Sequence, residues 1–151
     1  MNTCERRIAI VQETRSWLGT PYVHQACRKG TGTDCLGLIR GVWRACVARE
    51  PSAVPNYTMD WGERDEQERL WDAANYHLIP VAAESGWEIG QVLLFRMRRG
   101  AVAKHLGILS EHGLTPKFVH AYSGRAVCEN TLSHPWARRI VARFEFPGLG
   151  D

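Results

Sequence analysis

The sequence predicts an α+β fold, with N-terminal helices packed on a C-terminal antiparallel β-sheet. Three observations carry this. The first half holds apolar stripes at helical spacing. The second half holds short runs of β-formers separated by Gly, Pro or polar turns, and neighbouring strands that follow a block of helices favour antiparallel pairing. The chain has 151 residues, 44% of them hydrophobic and 23% charged. That suits one domain over residues 1–151 and is too short for two comfortable ones.

Taken in order, Asn2 or Thr3 caps a first helix over residues 4–18, with Ile8, Val11, Arg15 and Leu18 near one face. Gly19 and Pro21 end it. A polar loop runs from Thr20 to Thr33. Asp34 is a good N-cap for a second helix, where Leu38, Ile39, Val42, Trp43 and Cys46 form an apolar stripe that ends near Arg49, before Pro51. A loop from Pro51 to Gly62 leads to a charged helix over Glu63 to Tyr76, with Leu70, Trp71 and Ala74 facing inward. Strands follow at Gln91–Arg96, His105–Leu109, Phe118–Tyr122, Arg125–Glu129 and Ile140–Phe146. The second helix is expected to pack on their sheet.

A formal charge of +3 and a pI near 8.7 are too weakly basic to argue for nucleic acid, yet do not oppose an anionic polymer such as a cell wall. Cysteines at 4, 27, 35, 46 and 128 are odd in number and form no C-x-x-C pair, against a disulfide framework or structural zinc. A zinc site from Cys128 and His134 lacks two further ligands. Mostly free thiols fit synthesis in the reducing cytoplasm. The first residues lack the apolar core of a signal peptide, and no stretch has the length of a membrane span. The tryptophans, six in all, point to an indole-rich core or contact surface.

Cys35 is the strongest candidate for chemistry. It follows the helix-capping Asp34 and a Gly/Thr-rich loop, so its thiol falls at the amino end of a buried helix. There the helix dipole and free N–H groups favour the thiolate, and a neighbouring imidazolium would lower its pKa further. The expected signature is faster alkylation by iodoacetamide than at the other cysteines near neutral pH. His105, at the head of HLGIL, is the candidate general base and acid. Gly107 removes bulk on the same face, where a helix could approach. His120, inside FVHAY, would orient His105 if their strands are neighbours. Cys46 lies on the core stripe, Cys4 and Cys27 are peripheral, and Cys128 sits in a strand. His24, His77, His112 and His134 have no comparable context.

Five segments in order, LGTPY (18–22), TDCLGL (33–38), EIGQVLLF (88–95), HLGIL (105–109) and VHA (119–121), resemble the NlpC-type cysteine peptidases of the papain-like class, and most closely their small phage-tail-associated subset. The resemblance implies Cys35 as nucleophile, His105 as base and His120 as the residue that orients the base. It places Tyr22 at the oxyanion site and Asp34 and Leu36 on the substrate side. It implies hydrolysis of peptidoglycan stem peptides with no metal or organic cofactor. It also implies tail proteins as partners, with Trp61–Trp71 as a candidate contact, and carriage to the wall on a virion or tail particle. Three residues depart from the family pattern: Leu36 replaces a serine, and Ile89 and Gln91 replace a Pro and an Asp in a turn that should be structural. Alternatives are a non-enzymatic tail component, a thiol acyltransferase or amidase of related fold, or an effector of a contractile secretion system.

Overall fold

A computed structural model describes residues 1–51 and 68–148. Helix α1 spans Thr3–Arg15, where Asn2 and Glu5 form a reciprocal capping box. Two two-residue strands, β1 (Cys27–Arg28) and β2 (Gly32–Thr33), pair within the expected loop. Helix α2 spans Cys35–Cys46, and α3 spans Arg69–His77. Strands β3 (Ile79–Val81), β4 (Val92–Phe95), β5 (His105–Glu111), β6 (Lys117–Ala121) and β7 (Val127–Thr131) follow. A one-turn helix α4 (His134–Ala137) precedes β8 (Ile140–Glu145). The main sheet has the order β3-β8-β4-β5-β6-β7, antiparallel throughout.

Both faces of the sheet are covered. Helices α1, α2 and α3 bury Ile10, Leu38, Val42 and Leu70 against Val92, Leu106, Ile108 and Val119. Leu38 and Val42 are fully buried, each worth about 2 kcal/mol of hydrophobic stabilisation. On the other face Leu93, Phe95, Leu109 and Phe118 pack under Trp136 of α4. Alternation along β5 and β6 therefore sends Leu106, Ile108 and Val119 to the helices, and Leu109 and Phe118 to the α4 side.

Several expectations shift. Helix α1 ends at Arg15, and its inward face is Ile10, Val11 and Thr14, continued by Trp17, while Ile8 and Leu18 are exposed. The face is turned because the Trp17 indole lies where a Cβ on Gly41 of α2 would fall. Helix α2 stops at Cys46, before Arg49. The loop and the start of the helix expected over 51–76 lie largely outside the described residues. Within them, α3 buries Leu70 and Ala74, and Trp71 packs half-buried against the core. Strand β3 and helix α4 are additional. Among the described residues, no helix is long and apolar enough to cross a membrane.

Candidate active site

Three pieces of chain meet at the amino end of α2. Asp34 caps the helix: Oδ1 accepts from the Gly37 N–H and Oδ2 from the Gln25 N–H, each at 2.7 Å. One fully buried carboxylate thus staples the preceding loop to the helix. Gln25 adopts a left-handed backbone (φ 63°) to aim that N–H, and the His24 ring lies 3.9 Å from Oδ2. Tyr22 is held between β2 and the β6–β7 turn, its N–H donating to the Arg125 carbonyl and Thr33 N–H donating to the Pro21 carbonyl.

The Cys35 sulfur rests against the head of β5. It lies 3.8 Å from the Lys104 carbonyl oxygen and also meets the Leu106 N–H, so it touches the backbone on both sides of His105. The expected low thiol pKa is not found. Burial pushes Cys35 up to about 12 and the Asp34 carboxylate adds to this, outweighing the N–H groups of Leu106, Leu36 and Cys35 itself. Burial, with Cys35 and Asp34, also raises Tyr22 to about 12, so its hydroxyl stays a hydrogen-bond donor.

His105 and His120 are both buried and adjacent. His105 Nε2 and His120 Nδ1 are 2.7 Å apart, and His120 Nε2 is 2.7 Å from Asn130 Oδ1. Asn130 Oδ1 also accepts from the Cys128 thiol at 3.3 Å, consistent with oxygen at that amide position. Its oxygen can only accept, so His120 carries its proton on Nε2 and offers a lone pair at Nδ1. His105 then donates from Nε2, which leaves its own Nδ1 unprotonated. Burial lowers His105 to about 3, reinforced by His120; burial also lowers His120, against the opposing effect of Asn130. The resting site therefore combines a neutral thiol with neutral imidazoles.

Two outcomes follow. Alkylation of Cys35 at neutral pH should be slower than that of exposed Cys4, and should keep climbing with pH toward about 12. Faster labelling of Cys35 at neutral pH would mean that an ion pair is already formed. The second concerns stability. Folded His105 and His120 bind protons less readily than unfolded histidine, so the unfolded chain takes up protons first as pH falls. For His105, stability present above about pH 6.5 should be lost toward about pH 3, with a slope of at most about 1.4 kcal/mol per pH unit, and His120 acts in the same direction. Urea midpoints across this window test it, and a flat midpoint would contradict neutral buried rings.

Other expectations are placed differently. Gly107 makes room for neighbouring strands rather than for a helix: an added Cβ would lie 3.0 Å from Phe118 Cδ2 and 3.4 Å from His120 Cβ. Leu36 is half-buried in the wall of an apolar cavity of about 80 Å³, with Ile39, Leu70 and Leu106. Gln91 is structural: it donates to Glu145 and accepts from the buried Arg143. Ile89 lends its carbonyl to Arg7.

Asn130, Trp136, Tyr122 and the His24 approach to Asp34 are additions. The Trp136 ring lies 5.9 Å from His105 and 5.1 Å from His120, while Tyr122 lies 5.8 Å from His105. A polar Asn inside the strand-like VCENT is the one sequence signal that could have marked Asn130, since Asn is depleted in strands. Trp136 carries no comparable signal.

No protein-family model matches the chain, and no curated protein sequence does. Solved structures do match. One is an NLP/P60 family protein similar to a lipoprotein, from Staphylococcus aureus (TM-score 0.61, 21% identity, 93% of this chain and 41% of that one). Another is the NlpC/p60 domain of the peptidoglycan hydrolase SagA (TM-score 0.60, 20% identity, 93% and 98%). A third is an NlpC/P60 family protein from Bacillus cereus (TM-score 0.62, 16% identity, 93% and 40%). The chain spans about two fifths of the Staphylococcus and Bacillus proteins and nearly all of the SagA domain. Helices α1–α3 on one face of an antiparallel sheet, with Cys35 at a helix head and His105 at a strand head, are thus carried on the NlpC/P60 fold.

Proposed function

We propose that the protein is a thiol endopeptidase that hydrolyses stem peptides of peptidoglycan. The observation that carries this is the seat of the Cys35 sulfur against the backbone that flanks His105, together with the series His105–His120–Asn130 on the same strand and its neighbours. In the proposed reaction, Cys35 Sγ attacks the peptide carbonyl and its proton passes to His105 Nδ1. His105 Nε2–H, bonded to His120, steadies the imidazolium that forms. The Cys35 N–H and the Tyr22 hydroxyl face the oxyanion. Collapse expels the amine, which takes the proton from His105 and leaves a thioester. Water, deprotonated by His105, releases the acid and restores the thiol. The likeness to the domain of a peptidoglycan hydrolase supports this choice of substrate.

Incubation with purified wall fragments and mass spectrometry of the products tests the reading. New pairs of amine- and acid-ended fragments, each pair heavier by one water, are expected; unchanged masses would refute it. The resemblance of LGTPY, TDCLGL and HLGIL to the phage-tail subset supports delivery on a tail particle after cytoplasmic synthesis, with tail proteins as partners. Sedimentation of the protein with purified particles is the expected result, and its absence from them would refute delivery.

A further inference from the structure

Two acid-free stretches of sequence, RMRRGAVAK (96–104) and RRIVAR (138–143), are distant in the chain. Pairing of β4 with β8 brings them to one end of the sheet, where Leu94 faces Ala142 and Phe95 faces Ile140 across a register shift. The result is a groove of about 450 Å³ lined by Arg96, Met97, Arg99, Arg138, Arg139 and Val141. Clustering four guanidinium groups opposes folding through mutual repulsion. Glu68 pairs with Arg96 at 2.9 Å, but among the described residues no carboxylate pairs with Arg99, Arg138 or Arg139. Two of the four are already positioned. Arg96 donates Nε–H to the Ala101 carbonyl as well as bonding Glu68, and Arg139 lies over the Trp136 ring at 5.8 Å.

The groove adjoins the candidate active site. Phe95, immediately before Arg96, pairs with His105 in the sheet, and Trp136, beneath Arg139, packs on both histidines. Lys104, whose carbonyl oxygen lies 3.8 Å from the Cys35 sulfur, donates its N–H to the Phe95 carbonyl, so the groove begins one residue beyond a strand bonded to the seat of the thiol. Guanidinium groups in a fixed arrangement suit the two-pronged recognition of a carboxylate.

We infer that this groove is an anion subsite that holds a free carboxylate of the peptide substrate next to the bond being cut. The inference rests on the proposed peptidase reading and names the substrate feature that the enzyme selects. The neighbouring apolar parts, Met97 and Val141, would cover the aliphatic stem of the acidic residue.

The test uses the full chain with Arg99→Ser and Arg138→Ser, singly and together, and Arg138→Lys as a charge-preserving control. Substrates are a synthetic stem peptide with free carboxylates and its carboxamide counterpart. The double variant is expected to raise KM about tenfold with kcat unchanged, and the carboxamide peptide to show the same penalty on the unaltered protein. Arg138→Lys should fall between. Binding is read separately by calorimetry on Cys35→Ala protein, where added salt and the arginine substitutions should weaken the acidic peptide alike. Cleavage with unchanged KM and affinity in the double variant would overturn the subsite and leave the peptidase reading standing. Arginine-dependent binding of the acidic peptide without cleavage would overturn the peptidase reading and leave the subsite. Absence of both overturns both. Equal binding of the carboxamide, or binding only of a sugar-phosphate wall polymer, overturns the carboxylate assignment.

Discussion

Replacing Cys35 by alanine is expected to abolish release of new amines from wall fragments, a loss of roughly a thousandfold or more, with the fold intact. The sulfur is seated against the head of β5, between the Lys104 carbonyl and the Leu106 N–H. No other thiol can take its place. Cys46 lies at the far end of the helix, Cys4 is exposed at the start of α1, Cys27 is engaged by Gly37 and Arg44, and Cys128 on β7 donates its thiol to Asn130. Alanine keeps the Asp34 cap and its bonds to Gly37 and Gln25, so the thermal transition should move little. His105→Ala should cost nearly as much activity, and the double variant little more, because the two groups act in one proton transfer. Undiminished digestion by Cys35→Ala would remove the thiol from the mechanism.

Helix α2 was legible because its signals agree. Asp34 caps it, the apolar stripe faces the sheet, and the thiol follows the cap directly. Strands β4 to β8 were legible as β-rich runs between turns. What stayed hidden depends on partners distant in sequence. Strands β1 and β2 have two residues each, too few for any periodicity. Strand β3 contains Pro80 and forms only by pairing with β8 at the sheet edge. The face of α1 was misjudged because Trp17, beyond the helix end, decides the packing against Gly41.

The site divides in the same way. Cys35, His105 and His120 stand in local contexts that suggest chemistry. The groups that set their protonation do not. Asn130 is diagonal to His120 across the β6–β7 pair, where His120 faces Cys128, and that register exists only once the strands have paired. The thiol pKa was misjudged in direction for a related reason. A helix dipole can be read from a cap, whereas burial of Cys35 against β5 is a property of the folded chain. Local sequence shows where a nucleophile could stand; tertiary packing decides whether it rests charged.

The second large effect is expected at Gly37, one turn into α2. A Cβ there would fall inside contact distance of the Ala26 carbonyl oxygen and 2.5 Å from Thr33 Oγ1. Neither can yield easily. Ala26 accepts the Asp34 N–H through that same carbonyl, and Thr33 is fully buried and pinned to Pro21. Gly37→Ala should therefore push the 23–28 loop off the helix and destabilise the fold by about 3 kcal/mol. Gly86→Ala, whose added Cβ meets nothing within 4 Å, is the control and should be near neutral. Urea midpoints compare the two. Activity measured well below the Gly37→Ala midpoint should still be reduced, since the displaced loop carries Gln25, which holds one oxygen of the Asp34 staple, and directly follows Tyr22, the proposed oxyanion donor. If Gly37→Ala unfolds alongside Gly86→Ala with full activity, the loop does not rest on α2 as described, and the seat of Cys35 must be built by other contacts.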